Sequence, residues 1–281
     1  MKMSKYVAKL LGGLTLGLSA CTAFAGATWG LNFASNCGSL SSGSYYNSIT
    51  CSTAATGTVT ATAVSTNSTA TTATFQAAQL SYWGTGSGLG VKNPLEASGS
   101  PNHALDNYLY TDMILLNFGS TKVNLSTVTL GWWANDYDIT VMAYTGTATT
   151  PPLTSKTIAQ VGAGWSSVSN YGNNSASATN TGGTDTDKTL ALGASGVYSS
   201  WWLISAYNSG FGGTPLGDSI ADYVKVLSVA GQVQDKPPPP PGVPEPGSLA
   251  MMALALAGMV AVQRRRRQQA ASGGHAAAAP A

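Results

Sequence analysis

The sequence predicts an all-β domain, an antiparallel β-sandwich or jelly roll, set between two processing segments. Only 9% of the 281 residues are charged. Helix surfaces are usually rich in Glu, Lys and Arg, whereas the β-branched and aromatic residues scattered through this chain suit pleated strands. Short apolar or alternating runs are separated by clusters of Gly, Asn, Ser and Pro, the pattern of many short strands in a sandwich. No internal repeat is present, which argues against a propeller or solenoid.

Residues 1 to 25 carry the three parts of a secretory signal. Lys2, Lys5 and Lys9 form a basic start, Leu10 to Ala20 an apolar centre, and Ala23-Phe24-Ala25 stand before Gly26. Signal peptidase is expected to cut after Ala25. The apolar centre is shorter than the roughly 20 residues of a spanning helix. Leu18-Ser19-Ala20-Cys21 also has the shape of a lipobox, in which Cys21 becomes a lipidated N-terminus; the good ordinary site at Ala23 to Ala25 and a second membrane signal at the C-terminus favour plain cleavage. Placing Cys21 in the signal leaves Cys37 and Cys51 as an even pair. In an oxidising compartment they are expected to form a disulfide, closing a loop of about 15 residues and contributing about 3 kcal/mol.

Residues 26 to 234 are expected to form the all-β domain. Thr58 to Val64 and Asp138 to Tyr144 alternate with period two, as half-buried strands do. Asp112 to Phe118, Val197 to Ala206 and Ala221 to Val229 are more continuously apolar and predict strands covered on both faces. Nine to eleven strands fit the stretch. Between Gly26 and Lys236 ten Asp and Glu stand against six Lys and no Arg, a formal charge of −4. Nucleic-acid binding needs a basic stripe to neutralise phosphates, and this stretch has none.

Catalytic candidates are few. His103 is the only histidine between the two processing segments, and a triad would have to join it to Asp106 or Asp112. Glu96 is the only Glu there, with no framing motif for a glycosidase pair. No catalytic residue, metal or cofactor is assigned, and the chain is expected not to be an enzyme. Asp136-Tyr137-Asp138 and Asp185-Thr186-Asp187 each place two carboxylates on one side of an extended chain, and with Asp106, Asn107 and Asp112 they offer oxygen ligands of the kind calcium takes. They lack EF-hand spacing, and Asp and Asn also cap their own backbone at turns. In Trp132-Trp133 and Trp201-Trp202 a strand sends one indole to each face. Trp133 and Trp202 are the candidates for stacking on a sugar ring. Ser and Thr density from Ser48 to Thr74 and from Ser166 to Thr189 suits O-glycosylation.

After Gln234 the composition changes. Residues 235 to 242 form a proline-rich linker of polyproline II character. Residues 243 to 267 then give Val243-Pro244-Glu245-Pro246, an apolar run from Leu249 to Val262, and Arg264, Arg265, Arg266 and Arg267. The apolar run is a marginal membrane span at about 1.5 Å per residue. The arginine cluster is expected to hold its end in the cytoplasm. Residues 268 to 281 are expected to be a disordered tail.

This order of motif, short apolar segment and basic cluster resembles the PEP-CTERM domain of Gram-negative bacteria. The resemblance implies that exosortase, a membrane cysteine protease-transpeptidase, recognises Pro244, Glu245 and Pro246. It also implies a cell-surface or extracellular destination after transient anchoring in the inner membrane, and a link to exopolysaccharide and biofilm. The tail 268 to 281 departs from the family, whose members commonly end soon after the basic cluster. The domain itself is similar to a group of exosortase-dependent surface proteins at Gly88 to Val91, Asp106-Asn107, Asp112 to Phe118, Thr129 to Trp132, Asp138 to Val141 and Asp222 to Val226. That likeness implies no chemistry. The expected role is interaction or structure, with a lectin-like module as the alternative and an extracellular hydrolase a third possibility.

Overall fold

A computed structural model describes residues 26–70, 72–97, 99–149, 151, 153–161, 164–172, 187–192, 196–217, 220–235 and 246–272. Cys21, Ala23, Ala25, Asp185, Pro244 and Glu245 lie outside the described residues. The chain divides into two units, Met1–Asp235 and Lys236–Ala281.

The first unit is all-β. Its strands are β1 (Thr28–Asn32), β2 (Ser44–Tyr46), β3 (Ser48–Thr53), β4 (Gly57–Thr66), β5 (Phe75–Tyr82), β6 (Leu89–Lys92) and β7 (Leu105–Asp106). They continue with β8 (Asp112–Asn117), β9 (Val123–Asn135), β10 (Ile139–Tyr144), β11 (Trp165–Tyr171), β12 (Lys188–Ala191), β13 (Trp201–Ala206) and β14 (Asp222–Val233). Two four-residue helices, α1 (Phe33–Asn36) and α2 (Ile158–Val161), are its α-helices among the described residues.

All the strand pairs are antiparallel, and the main path runs β11-β10-β13-β8-β4-β5-β6-β14-β9-β12. Strand β5 turns the corner. Phe75 to Ala78 pair with β4, while Gln79 to Tyr82 pair with β6. One curled sheet thereby makes both layers of the sandwich. Between the layers Val59, Ala61, Ile114, Leu116, Val141 and Ile204 pack with Leu89, Val91, Val128, Leu130, Val224 and Val226 in one core.

The apolar strands behave as their sequences predict. In β8 and β13 alternate residues face that core, while Met113, Leu115 and Leu203 enter a second cluster with Leu153, Val161 and Phe211. Covering the outer face in this way removes the alternation that a half-solvated strand would show. The same covering corrects the expectation for residues 138 to 144: β10 is buried on both faces, with Met142 in the second cluster and Thr140 donating to Asn170 Oδ1 at 2.8 Å. The fourteen strands among the described residues exceed the nine to eleven expected, because β2, β7 and β12 are two to four residues long and too short to carry a readable period.

Cys37 and Cys51 form the expected disulfide, tying the end of α1 to β3 inside the core. In the second unit, α3 spans Pro246–Ser272, and its side chains from 251 to 269 are exposed. Among the described residues no helix is long and apolar enough to cross a membrane. The 14-residue run from Leu249 to Val262 covers about 21 Å, against about 30 Å of hydrocarbon.

Candidate functional site

A carboxylate prefers water, so an acidic residue buried in a domain with few charges marks a position the fold has to accommodate. Six of the ten acids between Gly26 and Lys236 lie in two clusters, Glu96-Asp106-Asp112 and Asp136-Asp138-Asp222. In each cluster one oxygen per residue lies within 4.8 Å of the others.

The first cluster draws on three segments. Glu96 sits in the loop after β6, where the Lys92 ammonium donates to the carbonyl oxygens of Asn93 (2.9 Å), Glu96 and Ala97 (3.2 Å). Asn93 Nδ2 fastens the loop to Thr66 O at 3.2 Å. Asp106 ends β7 and Asp112 opens β8, with exposures of 1% and 0%. Asp106 Oδ1 accepts from the Tyr108 amide at 3.1 Å, while its Oδ2, Glu96 Oε2 and both Asp112 carboxylate oxygens have no hydrogen-bond partner. Ser65 stands opposite Asp112 across the β4–β8 ladder, and its buried hydroxyl is likewise without a partner. Burial pushes the Asp106 carboxyl up to about 8, with the Glu96 charge adding to it. Asp112 is driven well above the usual carboxylate range by burial and then by Asp106 and Glu96.

The second cluster is fastened by hydrogen bonds to Asp222. Its Oδ1 accepts from the Asp138 amide (2.8 Å) and its Oδ2 from Asn107 Nδ2 (2.6 Å). Asn107 Oδ1 in turn accepts from the Asp222 amide at 2.8 Å. Burial raises Asp222 to about 9, opposed by the Asp138 amide and raised further by the Asp138 and Asp136 charges. The two clusters adjoin in sequence at Asp106-Asn107. Of the residues weighed for calcium, Asp106 and Asp112 thus fall in one cluster with Glu96, and Asp136 and Asp138 in the other with Asp222, while Asp187 belongs to neither. One signal in the sequence marks this arrangement: Asp112, Asp138 and Asp222 each stand at the start of a run that forms a buried strand.

His103 does not assemble a triad. No hydrogen bond joins it to Asp106 or Asp112 among the described residues, and its Nδ1 is buried without a partner. Its ring lies 3.8 Å from that of Trp83 between centroids. Burial, reinforced by the Lys225 charge, pulls the imidazole down to about 4.

The tryptophan expectation needs correction. Trp133 is 8% exposed and Trp202 is fully buried, so neither indole presents a face to a sugar. Trp133 faces the inter-sheet core opposite Val224, and Trp202 shares the face of Ile204. Trp202 Nε1 donates to Val123 O (3.1 Å) and Ser199 O (3.2 Å). The half-buried indoles are their neighbours, Trp132 and Trp201. Trp132, Trp83, His103, Lys225, Ser87 and Ser100 line an open pocket of about 340 Å³. The Lys225 ammonium lies 3.5 Å from the Trp132 ring centroid and 5.5 Å from that of Trp83, and burial pulls it down to about 7.

A disulfide-bonded all-β domain followed by proline linker, Pro-Glu-Pro, apolar run and arginine cluster defines an exported protein with a sorting tail. A family model for the PEP-CTERM protein-sorting motif matches residues 242–267. The chain therefore carries a PEP-CTERM sorting motif, the signal of exported proteins that exosortase sorts. No curated protein and no solved structure matches it.

Proposed function

We propose that the chain is a cell-surface or extracellular-matrix protein of the exopolysaccharide or biofilm layer, acting by interaction rather than catalysis. The observation that carries this reading is the matched sorting motif at residues 242–267 behind a disulfide-bonded all-β domain. The burial of Asp106 and Asp112, the partners His103 would need, supports a non-catalytic role, because a catalytic acid or base must reach its proton and these two carboxyls are at most 1% exposed with no hydrogen bond to His103 among the described residues. The test is intact-mass analysis of surface and culture fractions from the native host and from an exosortase deletion. Wild-type protein is expected to begin at Gly26 and end near Val243, with Arg264 to Arg267 retained in the deletion strain. The whole tail in both strains refutes sorting, and an N-terminus at acylated Cys21 refutes plain signal cleavage.

A lectin-like role is the second reading. It is supported by the open pocket that brings the half-buried indoles of Trp83 and Trp132 beside Lys225 and two serines. Aromatic faces flanked by a few polar groups are a common way to hold a small ligand.

A further inference from the structure

Removing a carboxylate from water costs several kcal/mol unless hydrogen bonds or an opposite charge replace the lost hydration. At Glu96, Asp106 and Asp112 the domain brings three such groups together, and the usual remedies are missing. Neither oxygen of the fully buried Asp112 has a well-formed hydrogen bond, the Asp106 backbone opposing its burial only in part, and Asp106 Oδ2 and Glu96 Oε2 have no partner. Lys92, whose charge reaches the cluster, directs its ammonium to three backbone carbonyls of the Glu96 loop. The one hydroxyl opposite Asp112 on the same ladder, Ser65 Oγ, is itself unpartnered. The neighbouring Asp222 contrasts with this, because both its oxygens accept hydrogen bonds.

We propose that Glu96, Asp106 and Asp112 bind a calcium ion, with Ser65 Oγ available as a further oxygen ligand. The donors are all oxygen, which suits calcium, magnesium or manganese rather than zinc or copper. Oxygens bound to one calcium at about 2.3–2.6 Å lie up to about 5 Å apart, and calcium accepts irregular oxygen shells where magnesium demands a near-ideal octahedron and gives up its waters reluctantly. The cluster, with oxygens within 4.8 Å of one another, fits inside the calcium shell. Glu96 comes from the loop after β6, Asp106 from β7 and Asp112 from β8, so the ion joins three segments that the chain supplies separately. It adds positive charge at the carboxylate oxygens themselves, where the Lys92 ammonium is turned to backbone carbonyls instead.

The test uses the full chain in detergent, stripped with a chelator and titrated with calcium chloride alone, followed by calorimetry and thermal unfolding. About one ion is expected to bind per chain, raising Tm by about 5–10 °C at about 100 times Kd. Magnesium at the same concentration is expected to do much less. Asp112→Asn is expected to lose the response while its stripped form melts close to wild type, since the amide replaces a carboxyl that burial already holds neutral without the ion. Glu96→Gln, on the loop, is expected to weaken binding without loss of folding and decides the matter if Asp112→Asn does not fold. Asp222→Asn is expected to keep the response. No response to millimolar calcium overturns the proposal, as does a full response in both Asp112→Asn and Glu96→Gln. A response lost in Asp222→Asn but kept in Asp112→Asn moves the ion to the other cluster and overturns it equally.

Discussion

Trp202 and Trp132 show how one residue type takes opposite parts in adjacent layers of the same domain. Trp202 is wholly enclosed and its indole N–H has two carbonyl acceptors, so Trp202→Ala removes a large core side chain and strands both of them. The expected loss is about 3–5 kcal/mol, read as a lower denaturation midpoint. Trp132→Ala opens only a half-buried position and is expected to cost much less, while abolishing retention on the host's exopolysaccharide if the pocket beside Lys225 is lectin-like. Unchanged retention in a folded Trp132→Ala variant removes that role. Adjacent tryptophans in a strand announce that one points inward, and this was legible. Which one points inward was not, since it depends on strand registers such as Trp133 opposite Val224 and Trp202 opposite Leu116, set by residues far away in the chain. The acids were legible as turn-end carboxylates. Their convergence was not, because Glu96, Asp106 and Asp112 meet only after the sheet has curled.

Strand β6 shows the same dependence for a whole element. Its short Gly-Leu-Gly-Val segment has apolar residues to bury, and Leu89 and Val91 enter the core. The glycines serve close approach. A Cβ at Gly88, whose φ is +89°, would lie 2.3 Å from Val226 O, and one at Gly90 would lie 2.1 Å from His103 O. Both obstacles are backbone atoms, which cannot swing aside as a side-chain tip can. Gly90→Ala is therefore expected to destabilise by roughly 1–3 kcal/mol, measured by chemical denaturation. Gly86→Ala, with nothing within 4 Å of its Cβ position, is expected to stay within about 0.5 kcal/mol of wild type. Equal effects of the two substitutions contradict the close-approach account. Strand existence was readable wherever apolar runs reached six residues or so, as in β8, β13 and β14. Strand β10 looked half-solvated because Thr140 is polar, yet that hydroxyl is satisfied inside by Asn170.

The molecule as a whole joins a domain that carries its own core to a sorting tail. Both hydrophobic clusters, with the partly buried residues packed on them, lie between Trp29 and Val233. The disulfide and both acidic clusters fall within the same limits. Pro237 to Pro241 follow, a run whose residues have no backbone N–H. In α3 the large apolar side chains, among them Met251, Leu254, Leu256 and Val260, are exposed. A chain ending at Asp235 is therefore expected to be exported, to form the Cys37–Cys51 bond, and to unfold within about 2 °C of the full chain, a difference worth less than about 1 kcal/mol at this size. It is also expected to leave the cell fraction for the medium, because the sorting motif at residues 242–267 has gone with the tail. A fall in Tm well beyond that margin means that the tail supports the domain, whereas an unchanged Tm with the truncated chain still held on the surface means that the domain has its own attachment there.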